Sequence, residues 1–247
     1  MNPQATRQHE TVIEIPAPVE EVWKAITEGS EIRRWFAPEV TTDPRPGGAY
    51  TVSWGPGMEG RGTFETVDAP HHVRMVSERT MPGIAGPVTL AQDFYLEARG
   101  GVTVLRLVHS GFPDGSGWDH EFNGTKSGWP IYFRILRHGL TRHRGAAARN
   151  FDLYALSGDP VDRTWERLGV LRPADAVATS ERCAWWTLPE KNDAMVHLAC
   201  SAYGPKTAIW MSVATYDLPE DAVAAIRRDY EGTLHRTFPE QSADVCA

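Results

Sequence analysis

Between Gly48 and His109 the chain holds five consecutive stretches of two-residue period: AYTVSW (49–54), RGTFETV (61–67), HVRMVSER (72–79), PVTLAQDFYLE (87–97) and GVTVLRLVH (101–109). They are separated by GPGMEG, DAPH, MPGIAG and ARGG, whose Gly, Pro and Asp are turn formers. Five successive strands on short turns form an antiparallel meander, and such a sheet has an apolar face that another element must cover. One element is large enough: from about Trp118 to His143, Phe122, Trp129, Tyr132, Phe133, Leu136 and Leu140 recur at helical spacing. The expected class is α+β, a curved antiparallel sheet wrapped around one long helix, and a curved sheet gripping a helix encloses a space.

Upstream, HETVIEIP (9–16) alternates and is β-branched, so it reads as a strand stopped by Pro16 and Pro18. PVEEVWKAI (18–26) places Val22, Trp23 and Ile26 on one helical face, with acids early, where the helix dipole favours them. Ser30 is placed to cap a second short helix that presents Ile32, Trp35 and Phe36. In SGWPIYFRIL (127–136), either Ser127 caps a helix with Pro130 in its first turn, or the helix starts near Trp118 and Gly128 with Pro130 kinks it.

The segments IEIPAPVEEVWKAIT, RRWFAP, PGGAYTVSW, LVHSGF and SGWPIYFRIL, in this order, resemble the START/polyketide-cyclase/pollen-allergen superfamily (SRPBCC, helix-grip fold) over about residues 9–145. Within it the chain is similar to the branch of the activator of heat-shock-protein ATPase. The superfamily includes lipid and hormone binders, aromatic polyketide cyclases, oxygenase domains, co-chaperones and self-resistance proteins for enediyne natural products, and fold alone does not choose among these.

The rest of the chain echoes this beginning. PVDRTWERL (160–168) follows the pattern of PVEEVWKAI, and NFDLYALS before it serves as a first strand. RCAWWTLP (182–189), AMVHLACSA (194–202) and KTAIWMSVATY (206–216) are strand-like and precede the helix DLPEDAVAAIRRDYEGTLHRTF. The expected organisation is a helix-grip domain over 1–148, then a shortened second helix-grip-like unit or C-terminal extension over 149–247.

Composition excludes several functions. At 41% hydrophobic and 23% charged, with a net charge of −7, the chain is an ordinary globular sequence with no global attraction for nucleic acid or an anionic membrane. No apolar window reaches the length of a membrane span and the N-terminal residues do not read as a signal peptide, so membrane insertion is not expected and a cytoplasmic location is. The basic run Arg134–Arg149 is read as a solvated helix face and end. Cys183, Cys200 and Cys246 match neither a disulfide framework nor a metal motif. GPGMEGRG (55–62) lacks the Lys-Ser/Thr and helix of a phosphate loop, and His71-His72 sits at a hairpin without further ligands, so no cofactor and no metal are expected. Asn123-Gly124-Thr125 is a sequon that a cytoplasmic protein would not use.

Aromatic side chains are the remaining signal. Trp35 of the second short helix, Tyr50, Trp54, Phe64 and Phe94 of the meander, and Trp118, Phe122, Trp129, Tyr132, Phe133 and Leu136 of the long helical stretch are expected to face the enclosed space as a solid core or as ligand-binding walls. Gln92, Asp93, Arg106 and His109 interrupt apolar strands, and Glu59 and Arg61 lie at a hairpin mouth. Arg106 is a candidate ligand contact, and His109 or Asp93, if directed inward, is a candidate general base. Alternation leaves the inward register open by one residue. The leading expectation is a binder, rather than an enzyme, of a hydrophobic polycyclic small molecule for sequestration, transport or self-resistance. The resemblance adds that Gly111, Gly124 and Gly128 could be backbone sites attacked by a bound enediyne radical. The alternatives are an aromatic polyketide cyclase or aromatase, which needs an inward acid or base, and a co-chaperone-like interaction module. Oligomeric state is left open.

Overall fold

The computed structural model describes residues 6–55, 57–80 and 86–239. Cys246, Pro56 of the glycine-rich loop and residues 81–85 of one predicted turn lie outside the described residues. The chain divides into two compact units, residues 1–53 with 59–144, and residues 54–58 with 145–247.

The first unit opens with β1 (Thr6–Ile15), α1 (Val19–Thr27) and α2 (Gly29–Ile32). Pro18 stands at the α1 N-cap, Glu20 and Glu21 occupy its first turn, and Val22, Ala25 and Ile26 are buried along one stripe. The expected Ser30 cap of α2 is not used: the N-cap position is Glu28, without a side-chain cap, and the Gly29 N–H donates instead to Thr42 Oγ1 at 2.8 Å. That oxygen comes from β2 (Glu39–Thr42), a short strand the alternation did not announce.

The meander follows as β3 (Ala49–Ser53), β4 (Glu59–Asp68), β5 (His72–Arg79), β6 (Val88–Arg99) and β7 (Val102–Pro113). All seven strands form one antiparallel sheet in the order β1-β7-β6-β5-β4-β3-β2. Gly111 is the extra residue of a bulge where β7 pairs with β1, at φ +93°, a conformation that favours glycine. Helix α3 (Asp119–Arg142) runs unbroken through Pro130. Ser127 is therefore not a cap: its hydroxyl donates back to Asn123 O at 2.8 Å, and of the two alternatives the helix beginning near Trp118 is the one observed. Trp129, Phe133 and Leu136 are buried on the sheet-facing stripe of α3, which gives this unit its helix-grip, α+β form.

The second unit comprises β8 (Ala148–Ser157), α4 (Val161–Arg167), β9 (Val177–Ser180), β10 (Cys183–Leu188), β11 (Ala194–Tyr203), β12 (Lys206–Tyr216) and α5 (Glu220–Thr237). Its sheet runs β8-β12-β11-β10-β9. In both sheets the first strand pairs with the last and the others follow in reverse chain order. Phe151, Leu153, Trp186, Leu198 and Met211 pack with Ile226 and Leu234 of α5 in one core.

Candidate functional site

The inward face of the first sheet is set by contacts with α3. The Phe94 ring meets the Trp129 ring edge-to-face at 5.8 Å and the Phe133 ring at 6.5 Å, so the even-numbered residues of β6 near Phe94 face the helix. Through the strand register this turns Val73 and Met75 of β5, and Leu105, Leu107 and His109 of β7, inward with it. Tyr50 and Phe64 meet at 5.9 Å on the same face. Gly62, opposite Tyr50, makes that fit possible: a Cβ there would stand 2.1 Å from Val76 O and 2.7 Å from Tyr50 Cε1.

Most of the aromatic residues expected between sheet and helix are buried there: Trp35, Tyr50, Phe64, Phe94, Trp118, Trp129, Tyr132 and Phe133, with Leu136. Trp35 braces the structure, its indole N–H donating to Ala25 O at 2.8 Å. Phe122 is half-buried against a small cluster of Leu90, Phe112 and Trp118. Three nominations are corrected. Asp93 adjoins the inward Phe94 and therefore faces outward, where it accepts hydrogen bonds from Arg74 and from His72 Nε2, the latter at 2.9 Å. Arg106 also faces outward, stacked over the Tyr95 ring at 4.3 Å and paired with Glu10 at 3.2 Å. Trp54 follows the end of β3 and groups with the second unit rather than with the first sheet. Gln92 is inward; Glu59 and Arg61 line a groove along β2, β3 and β4. Gly124 is exposed on α3, whereas Gly128 is buried.

His109 does face inward, but its chemistry is committed. Trp129 Nε1–H donates to His109 Nδ1 at 3.2 Å, which occupies the lone pair a general base would use. Burial, followed by the electrostatic influence of nearby His9 and Arg79, lowers its pKa from 6.5 to about 3, so the ring is neutral at pH 7.

Sequence reasoning did not nominate His9, Ser77, Arg79, Glu121 or Phe36. His9 pairs with His109 across β1 and β7, their rings 5.3 Å apart, and it bonds Thr125 Oγ1 of α3 through Nε2 at 3.0 Å. Burial, then the Lys126 charge, lowers its pKa from 6.5 to about 4. Ser77 and Arg79 continue the inward row of β5 beyond Val73 and Met75. Arg79 lies 3.9 Å from Glu121 of α3, bridging sheet and helix. Phe36 stacks on Trp129 at 5.2 Å with 5° between the planes, and meets Tyr132 at 4.7 Å. The available signal for Ser77 and Arg79 was their i+2 spacing from Val73 and Met75; the inward direction of that row comes only from packing.

A family model described as "Activator of Hsp90 ATPase homolog 1-like protein" matches residues 16–141. The chain belongs to this family. The matched segment of the Hsp90-activator-homologue family spans α1 through nearly all of α3, and so covers the elements of this interior other than β1. No curated protein matches the chain. Among solved structures it is similar to protein MLL2253 from Mesorhizobium loti, at 24% identity over 55% of this chain and 98% of that one, with a TM-score of 0.48. It is similar also to the Aha1 dimer from Colwellia psychrerythraea, at 17% identity over 56% and 99%, TM-score 0.49. A third is the di-domain ARO/CYC BexL from the BE-7585A biosynthetic pathway, at 14% identity over 96% and 99%, TM-score 0.49. Among the described residues no helix is long and apolar enough to cross a membrane.

Proposed function

We propose that the first unit binds a hydrophobic, polycyclic small molecule between its sheet and α3, holding it without transforming it. The observation that carries this reading is where the inner face stops being sealed. Along the inward row of β5, Val73 and Met75 are 0% and 7% exposed, yet Ser77 and Arg79 beyond them are only half-buried, as is Gln92 opposite Met75. Solvent thus reaches the inner wall at Ser77, Arg79 and Gln92, and Gln92 stands opposite His109, which Trp129 bonds. Such a wall, with a few polar groups at one end, suits a flat apolar ligand with a polar edge. Binding is favoured over cyclisation because the one inward nominated base, His109, has its Nδ1 lone pair engaged by Trp129 and its basicity lowered by burial, and Asp93 is ion-paired on the outer face.

Calorimetric titration of the whole protein with anthracene-2-carboxylate tests the reading. Saturable binding is expected, weakened about ten-fold or more by Arg79→Ala, which removes the cation of the inner wall. Absence of binding, together with stimulation of an Hsp90-type ATPase by this chain, would overturn it in favour of a co-chaperone role. We also propose that residues 149–247 hold a shortened second helix-grip unit, supported by the shared strand order and by the Pro160-led helix that follows its first strand.

A further inference from the structure

Two polar atoms at the α3 N-terminal end of this interior are buried with no hydrogen-bond partner among the described residues, His9 Nδ1 and Trp118 Nε1. His9 is 6% exposed and Trp118 2%. They belong to one neighbourhood: the His9 ring lies 5.7 Å from Phe112 and 5.4 Å from Phe122, and Trp118 clusters with those same phenylalanines.

Their hydrogen-bonding characters are complementary. Thr125 has one hydroxyl proton, and the helix carbonyls of Glu121 at 2.9 Å and Phe122 at 3.2 Å both stand to receive it; in that arrangement it accepts from His9 Nε2–H at 3.0 Å. That fixes the His9 tautomer and leaves Nδ1 a bare acceptor. Trp118 Nε1–H is donor only. A carboxylate would satisfy Trp118 and repel the His9 lone pair; an ammonium would do the reverse. A single hydroxyl serves both, donating its proton to one ring and accepting at its oxygen from the other.

We propose that His9 and Trp118 form a subsite for a neutral hydroxyl, phenolic or alcoholic, on the molecule bound under α3. This rests on the binding function proposed above and adds a chemical requirement to it. A buried site built to hydrogen-bond a hydroxyl discriminates strongly against an analogue lacking it, because both protein groups are then left unpaired.

The test uses the whole protein and three probes of one skeleton, 1-naphthol, 1-methoxynaphthalene and naphthalene, titrated calorimetrically at pH 7. The expected order is naphthol tightest, at least ten-fold over naphthalene, with the methoxy compound between because it accepts from Trp118 but gives nothing to His9. Trp118→Phe should cut the naphthol advantage several-fold and leave naphthalene within about two-fold. As a readout independent of any variant's folding, the Trp118 indole N–H resonance of the unaltered protein should shift with naphthol and not with naphthalene. Equal affinity for all three probes would overturn the hydroxyl subsite, assigning the two polar atoms to water, while the binding function stands. Binding by none of them would overturn both.

Discussion

Gly62 shows how one residue type carries a structural demand. A methyl group there would meet both the Val76 carbonyl and the Tyr50 ring inside ordinary contact distance, and one of these obstacles is backbone. Gly62→Ala should therefore destabilise the protein by roughly 3 kcal/mol, at the upper end of overpacking costs, seen as a lower midpoint in urea denaturation. An unchanged midpoint would mean that β4 and β5 separate without penalty. His9 makes the complementary point. In the sequence it is a polar residue at the start of an alternating strand, and its significance depends on Thr125, 116 positions away. Arg106 and Asp93 were nominated for interrupting apolar strands, but that signal is blind to the side of the sheet, and the alternation between Asp93 and Phe94 turned both nominations outward.

At the level of elements, α3 is assembled from two unlike halves. Its first half carries Gly124, Thr125 and Ser127, the last two bonding back to carbonyls of the preceding turn, and it is held by Arg7–Asp119 at 2.5 Å and His9–Thr125 at 3.0 Å. Its second half is buried aromatic and aliphatic surface. A Cβ at Gly124 would meet nothing within 4 Å. Gly124→Ala is therefore expected to stabilise the protein by about 0.5–1 kcal/mol through helix propensity and a less flexible unfolded chain, measured as a raised urea midpoint. A lower midpoint would show that this turn must flex in the folded state. The element sequence was legible because strand period, helical stripe and turn chemistry are local. β2 escaped notice because four residues are too few to show a period, and the α2 cap because its oxygen arrives from that same strand.

For the whole molecule, the two inward histidines couple stability to pH. Their folded pKa values, about 4 for His9 and about 3 for His109, lie below the ordinary 6.5 because burial disfavours the charged ring. The unfolded chain binds those protons first, so this contribution is fully present above pH 6.5 and is lost as pH falls toward 4 and then 3. Asp152 of the second unit acts oppositely: burial raises its pKa from 3.8 to about 6, so its contribution is present below 3.8 and is lost as pH rises through 6. In an Asp152→Asn background, stability should fall by roughly 4 kcal/mol, about 2 from each ring, between pH 7.5 and pH 5, followed by urea denaturation. A flat profile would mean the histidines are solvated. The sequence alone determined the order of elements, the antiparallel meander and its covering helix, because these follow from patterns a few residues wide. Which face of each strand turns inward, and which polar atom meets which across β1, β7 and α3, was decided by tertiary packing. A one-residue change of register reverses every side chain, and the partner that fixes the register lies in a distant part of the chain.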